Sequence, residues 1–221
     1  FNVTVEAQDL CPRYIAHYVY DVKLGQSPAW MRRRLALVGN NSISNIVDIT
    51  NYIMRELGQP LHAFDCDYLE GNAINVRRAA EGEKIVTLDE KEFTLNPNNL
   101  VICDGKKPVA LAGIMGGLNS EVRDTTTEVM FEAAKFARDN IRRSSRALGQ
   151  GSDASQRYSK GVDEYTTEMA MKRALHLVEE LGAGKISKTH KNVNTGNSLE
   201  PTTFKTSVKK VNAVLGITVP D

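Results

Sequence analysis

Ser44-Asn45-Ile46-Val47-Asp48-Ile49-Thr50-Asn51-Tyr52-Ile53-Met54-Arg55-Glu56-Leu57-Gly58-Gln59-Pro60-Leu61-His62 organises the reading of this chain. Ile46, Ile49, Ile53 and Leu57 recur at three- and four-residue spacing, which lays an apolar stripe along one side of a helix. That spacing predicts a helix over about Asn45–Leu57. Gly58 stops it, and Pro60 cannot continue it, having no amide proton and a fixed φ. Gln59-Pro60-Leu61-His62 therefore leaves the helix as a loop, with His62 between the apolar anchors Leu61 and Phe64.

Upstream, Ser27-Pro28 opens an earlier helix, with Ser at the N-cap and Pro at the first helical position. Trp30, Met31, Leu35 and Val38 share its inward face, and Gly39 ends it. Tyr14–Val22, rich in Tyr, Ile and Val, reads as a strand, and residues 1–10 as a tail or linker. Downstream, from Ile74 to Leu111, the pattern changes to short β-runs at Ile74, Val76, Ile85–Leu88, Phe93–Leu95, Leu100–Cys103 and Val109–Leu111. Asp89-Glu90-Lys91 and Asp104-Gly105-Lys106 are hairpin tips. Ala112-Gly113-Ile114-Met115-Gly116-Gly117 is a glycine-rich bend, and Val129–Phe131 is a strand leading into Glu132. Helices are expected over about Asp139–Leu148 and Glu164–Leu181, the latter with Met169, Leu177, Val178 and Leu181 inward. Lys188–Pro201 is polar and reads as a linker.

This mixed order of strand, helices, hairpins and helices argues for α+β rather than a doubly wound sheet. The 221 residues, 41% hydrophobic and 25% charged, suffice for one good core or two small ones. The start at Phe1 and the close on Thr218-Val219-Pro220-Asp221 read as the ends of a piece of a longer chain. A net charge of +1 gives no global drive toward nucleic acid, so any RNA contact is local. Cys11, Cys66 and Cys103 are odd in number and contain no CxxC, which fits a cytoplasmic protein without a disulfide framework or zinc site. The apolar runs are only a few residues long, so neither a membrane span nor a signal peptide is expected.

The chain has no GxxxxGK[ST], HExxH or GxSxG. The glycine-rich bend is either a tight turn where two backbones approach closely or part of a ligand site. Of the four histidines, His17 and His176 fall in expected regular elements and His190 in the linker; His62 alone lies in a loop beside a helix stop. Glu132 interrupts an apolar run. Strand alternation turns such a residue outward to solvent; if it is instead buried, it is a pocket acceptor awaiting a donor.

Five ordered segments carry a resemblance. They are Cys11-Pro12-Arg13-Tyr14; Ser44–Tyr52 with Glu56–Asp65; Ala110–Gly117 with Ser120-Glu121-Val122; Phe131-Glu132-Ala133-Ala134; and Asp153–Tyr158 with Gly161-Val162-Asp163. Together they resemble the B3/B4 region of bacterial phenylalanyl-tRNA synthetase β subunits, over about residues 11–185. The resemblance implies a B3/B4-type α+β fold, with mixed and antiparallel β-sheets packed against helices. It places the domain at 11–190, a linker at 191–201 and the truncated start of the next (B5) domain at 202–221. It also implies an α2β2 enzyme whose β chain hydrolyses tyrosine misattached to tRNA(Phe). The partners would be the tRNA(Phe) acceptor end, the α subunit and tyrosine as ligand. ATP and Mg are expected only for the whole enzyme's aminoacylation, with no cofactor in this region. The alternative is a non-catalytic scaffold that binds tRNA or the α subunit.

Carried over residue by residue, the resemblance places Thr50, Asn51, Pro60, His62, Ala112, Gly113, Gly116, Glu132, Ser152 and Ala154 in the editing pocket. Glu132 would accept the tyrosine hydroxyl. His62 would orient the attacking water or the terminal ribose, since no carboxylate partner for it is evident. The family usually carries Arg-Pro where this chain has Asn41 and Ser42, a role that Arg32, Arg33 or Arg34 would have to assume. Arg32-Arg33-Arg34, and Arg142-Arg143 with Arg146, are basic clusters on expected helices, either solvated faces or phosphate contacts.

Overall fold

A computed structural model describes residues 1–196 and 203–220. The first half holds β1 (Asn2–Val5), β2 (Arg13–Tyr20), α1 (Ala29–Leu37), α2 (Asn45–Leu57), β3 (Leu61–Asp65) and β4 (Ala73–Arg78). Next come β5 (Lys84–Val86), β6 (Glu92–Thr94), β7 (Leu100–Cys103), β8 (Pro108–Leu111), β9 (Met115–Gly116) and β10 (Val129–Lys135). The remainder holds α3 (Arg138–Ala147), α4 (Asp153–Tyr158), α5 (Glu164–Glu180), β11 (Lys185–Asn194) and α6 (Val208–Leu215).

The expected α+β class is observed. One sheet is antiparallel, in the order β11-β2-β10-β3; a second is mixed, in the order β1-β4-β7-β8-β9, with β1 parallel to β4; β5 and β6 form a hairpin. The antiparallel sheet is the middle layer, and β10 pairs on both sides, with β2 and with β3. Its alternating side chains feed two cores. Val129, Phe131 and Ala133 pack with Ile46, Ile49, Ile53, Ala170, Ala174 and Leu177 from α2 and α5. Met130 and Ala134 pack with Ile74, Val76, Val101, Ile102 and Leu111 from the mixed sheet. Both faces of β10 are covered, with Lys135 alone partly exposed.

The decisive helix is observed over the expected residues. Ser44 Oγ accepts from the Val47 amide, and Gly58 closes the helix at φ +74°, a left-handed conformation that suits glycine. Other expectations are corrected. Residues 1–10 are not a tail: β1 alternates buried Val3 and Val5 with exposed neighbours and pairs with β4. Leu61–Asp65 is a strand rather than a loop, because once Pro60 has broken the helix the chain finds an extended partner in β10. Residues 185–194, in part the expected linker, form an edge strand on β2; its polarity reflects exposure. Residues 197–202 of the expected linker and following domain, and Asp221, lie outside the described residues; α6, within 202–221, has no buried residue.

In α1 only Met31 and Leu35 are buried, whereas Trp30 and Val38 are exposed. Pro28, not Ser27, occupies the N-cap. In α5 the inward residues include Thr167, Ala170 and Ala174, small enough to seat the helix on the sheet, and Met169 faces out. The three cysteines are free and buried. Among the described residues no helix is long and apolar enough to cross a membrane.

Fully buried Asp48 ties the α1–α2 loop to α2. Its carboxyl accepts from Ser27 Oγ at 2.6 Å, from the Ile43 amide at 2.8 Å and from Ser42 Oγ. Asp48→Ala would leave the buried Ser27 hydroxyl unpaired and release the exposed Ser42 and Ile43, and is expected to lower unfolding free energy by about 1–3 kcal/mol in denaturant titration. A change within experimental error would show that the loop is held by other contacts.

Candidate active site

Glu132 lies at the middle of β10, with His62 of β3 opposite it on one side and Ala16 of β2 on the other. Directly opposite residues share a face, so the carboxyl and the imidazole project into the same space, between the two sheets. Of the two readings left open for Glu132, the solvent-facing one is not observed. The mixed sheet covers that face, so the side chain is only 5% exposed.

The glycine-rich bend closes the opposite wall. Leu111 and Ala110 pair with Met115 and Gly116, leaving Ala112-Gly113-Ile114 as the turn. Gly113 has φ +66°, and a Cβ there would lie 2.8 Å from Phe136 and 3.0 Å from Tyr158. At Gly116 a Cβ would lie 2.6 Å from the His62 ring. These glycines therefore let the bend close onto the aromatic groups that shape the pocket.

The pocket so enclosed has a volume of about 70 Å³. Pro60, His62, Gly113, Gly116, Glu132 and Ala154 line it, together with Leu61, Ile102, Leu111, Ile114, Met115 and Tyr158. Four expected residues do not line it. Thr50 and Asn51 sit in the middle of α2, where the Thr50 hydroxyl donates to the Val47 carbonyl at 2.7 Å. Ala112 is fully buried behind the bend. Ser152 caps α4 and donates to the Ile114 carbonyl at 2.6 Å, so it supports the wall from outside.

Sequence reasoning missed two tyrosines. Tyr14, fully buried on β2, donates its hydroxyl hydrogen to Glu132 Oε2 at 3.4 Å. Tyr158 lines the pocket; its hydroxyl lies 3.0 Å from the Ala134 carbonyl and accepts from Gln59 Nε2 at 3.3 Å. Both lie in segments quoted for the resemblance. The available local signal was the i, i+4 spacing of Ala154 and Tyr158, which puts both on one side of α4.

Burial decides the charge states. It pushes the Glu132 carboxyl up to about 8, an effect the Tyr14 hydroxyl only partly offsets. It pushes the His62 imidazole down to about 4. Near neutral pH the pocket therefore holds a mostly protonated carboxyl and a neutral imidazole. Among the described residues there is no cluster of three or more His, Cys, Asp or Glu that could hold a metal ion.

Ser42 has a clear task here through its bond to Asp48, and Asn41 is exposed. None of the three arginines of α1 lines the pocket. Arg34 donates to the Tyr52 hydroxyl at 2.7 Å and lies over the Trp30 ring, and Arg32 donates to the Ser27 carbonyl. The arginine joining the α1–α2 loop to the pocket wall is Arg55, which donates to Asn40 and to Asp153, next to Ala154.

Fold and site define an α+β domain in which a buried carboxyl faces a glycine-rich bend across a small pocket. The model of one family, the B3/4 domain, matches residues 10–183, and the chain belongs to that family. It is similar to the phenylalanine–tRNA ligase beta subunit of Syntrophus aciditrophicus, 49% identical over 99% of this chain and 27% of that protein. The corresponding subunit of Geobacter metallireducens is 46% identical over 98% of this chain and 27% of its own length. The chain thus spans about a quarter of the curated relatives it matches. A crystal structure of an N-terminal fragment of the phenylalanyl-tRNA synthetase beta subunit from Pyrococcus horikoshii has the same fold, with a TM-score of 0.55. That likeness covers 100% of this chain and 61% of that one at 15% identity.

The carboxyl links the pocket to stability. Glu132 ionises in the unfolded chain near its ordinary 4.5 but in the folded state only near 8. Its contribution is therefore full below about pH 4.5 and is lost as pH rises to about 8. Glu132→Gln removes this dependence. Its melting temperature relative to the parent chain is expected to rise between pH 4.5 and 8 and then level off. A difference constant across that window would contradict the buried, neutral carboxyl.

Proposed function

We propose that this domain edits: it hydrolyses the ester joining tyrosine to tRNA(Phe), in support of phenylalanine ligation by an α2β2 synthetase of which it forms the β-chain editing region. The names of the relatives support the synthetase assignment. The carrying observation for editing is Glu132, a carboxyl buried in a pocket wall with, among the described residues, one long hydrogen bond and no cationic partner.

Phenylalanine and tyrosine differ by one hydroxyl. A synthetic site has difficulty rejecting a slightly larger isostere, whereas a second site can demand the extra group. A phenol reaching Glu132 supplies its missing partner. The bond is stronger when the carboxyl is ionised and remains available when it is neutral. A phenyl ring covers the carboxyl and leaves it short of partners, at a cost on the order of 1–3 kcal/mol. That difference corresponds to about 10- to 100-fold preference for tyrosine.

The ester is already activated, so holding it against a positioned water supplies much of the rate. His62 projects from the strand beside Glu132. A neutral imidazole with so low a proton affinity is a weak base, and its task is to orient the water or the terminal ribose. The backbone at Gly113 and Gly116 approaches the ligand without an intervening Cβ.

The test is deacylation of tyrosyl- and phenylalanyl-tRNA(Phe) by an α2β2 synthetase carrying this domain. The parent enzyme should hydrolyse the first and spare the second. Glu132→Ala should reduce the ratio of rates by about 10- to 100-fold. Background loss of both substrates in the parent enzyme would refute editing; an unchanged ratio in the variant would remove the role of Glu132.

A further inference from the structure

Helix α4 presents two working faces. Ala154 and Tyr158, four residues apart, line the pocket. Ser155 and Ser159, each one position further and so rotated by about 100°, line a separate surface groove between α3 and α4. That groove has a volume of about 320 Å³. Arg142, Ser145 and Arg146 form its other side, Lys160 closes its end, and among the described residues no carboxylate lines it.

The cations are available. Arg146 and Lys160 are exposed and form no ion pair among the described residues; Arg142 has only a 3.4 Å contact with Asp139, one turn back. Half-buried Ser159 makes no side-chain hydrogen bond among the described residues. By contrast, two of the three arginines on α1 are already engaged, by Tyr52 and by the Ser27 carbonyl.

We propose that this groove binds the phosphodiester backbone of a single-stranded RNA end whose terminal residue enters the pocket. Two guanidinium groups, an ammonium and the Ser159 hydroxyl, with no carboxylate lining the groove among the described residues, match phosphate oxygens in charge and in donor capacity; the Ser145 and Ser155 hydroxyls already donate to the Gln150 and Ser152 carbonyls. The groove and the pocket flank one helix about 10 Å across. An RNA strand lying in the groove thus runs along the helix that supplies Ala154 and Tyr158 to the pocket wall. The inference rests on the editing reading for what enters the pocket. The phosphate contact itself is measurable without an attached amino acid.

The probe is a six-nucleotide single-stranded RNA with a free 3′ hydroxyl and a 5′ fluorophore, titrated against the full 221-residue chain at several salt concentrations. Arg146→Gln and Lys160→Gln should each weaken binding and reduce the slope of log affinity against log salt by about 0.7. Lys172→Gln, at an exposed position of α5, should leave the slope unchanged. Unchanged slopes in both groove variants would overturn the proposal. So would competition by hexaglutamate as strong as competition by unlabelled RNA, which would make the groove a site for acidic peptide. Tyrosine binding measured in the same variants should stay at the parent level. If the slopes fall while the pocket fails to prefer tyrosine, the groove stands and the editing reading does not.

Discussion

The structure depends on a carboxyl that is almost wholly buried, with only a small pocket beside it. Glu132 sits on the strand that both sheet neighbours and two cores require, and every residue within two positions of it on β10 is buried. An ionised carboxylate there would cost several kcal/mol without a partner, so the fold keeps the proton instead. Tyr14 holds one oxygen from the adjacent strand. A core packed only for stability would place an apolar residue at this position. The carboxyl has a function when a ligand supplies the partner that the fold withholds.

The surrounding layers follow from that requirement. The helices α2 and α5 cover one face of the middle sheet and make it rigid; the mixed sheet covers the other and supplies the bend. Glycines at 113 and 116 bring this second wall up to Phe136, Tyr158 and His62. Ser152 and Arg55 fasten the wall from outside, through the Ile114 carbonyl and Asp153. The pocket is therefore held by backbone and buried aromatic groups, the rigidity that the proposed discrimination by one hydroxyl calls for.

Much of this was legible in the sequence where the signal is local. The helix over Asn45–Leu57 combines a serine cap, a single apolar stripe and a stop glycine, and all three act within its own span. The glycine bend and the run into Glu132 were visible for the same reason. The remainder depends on partners far along the chain. Four residues of β1 become a strand only against β4, some seventy positions later. Polar β11 is a strand only because β2 offers an edge. Alternation could not decide between a solvated and a buried Glu132, since the sheet that covers it is assembled from residues 2–116. Tyr14 contacts Glu132 across 118 positions, and no local pattern encodes that. Thr50 and Asn51 came from resemblance alone, and in this structure they lie on α2, away from the pocket lining.

The central claim is that Glu132 is a buried carboxyl that reads a phenolic hydroxyl. It is tested most directly by following the ¹³C resonance of the labelled Glu132 carboxyl through a pH titration. The account predicts a midpoint near 8 in the free protein, and a lower midpoint with tyrosinamide bound than with phenylalaninamide bound. A midpoint in the ordinary carboxylate range near 4.5, or equal midpoints with the two ligands, would contradict it.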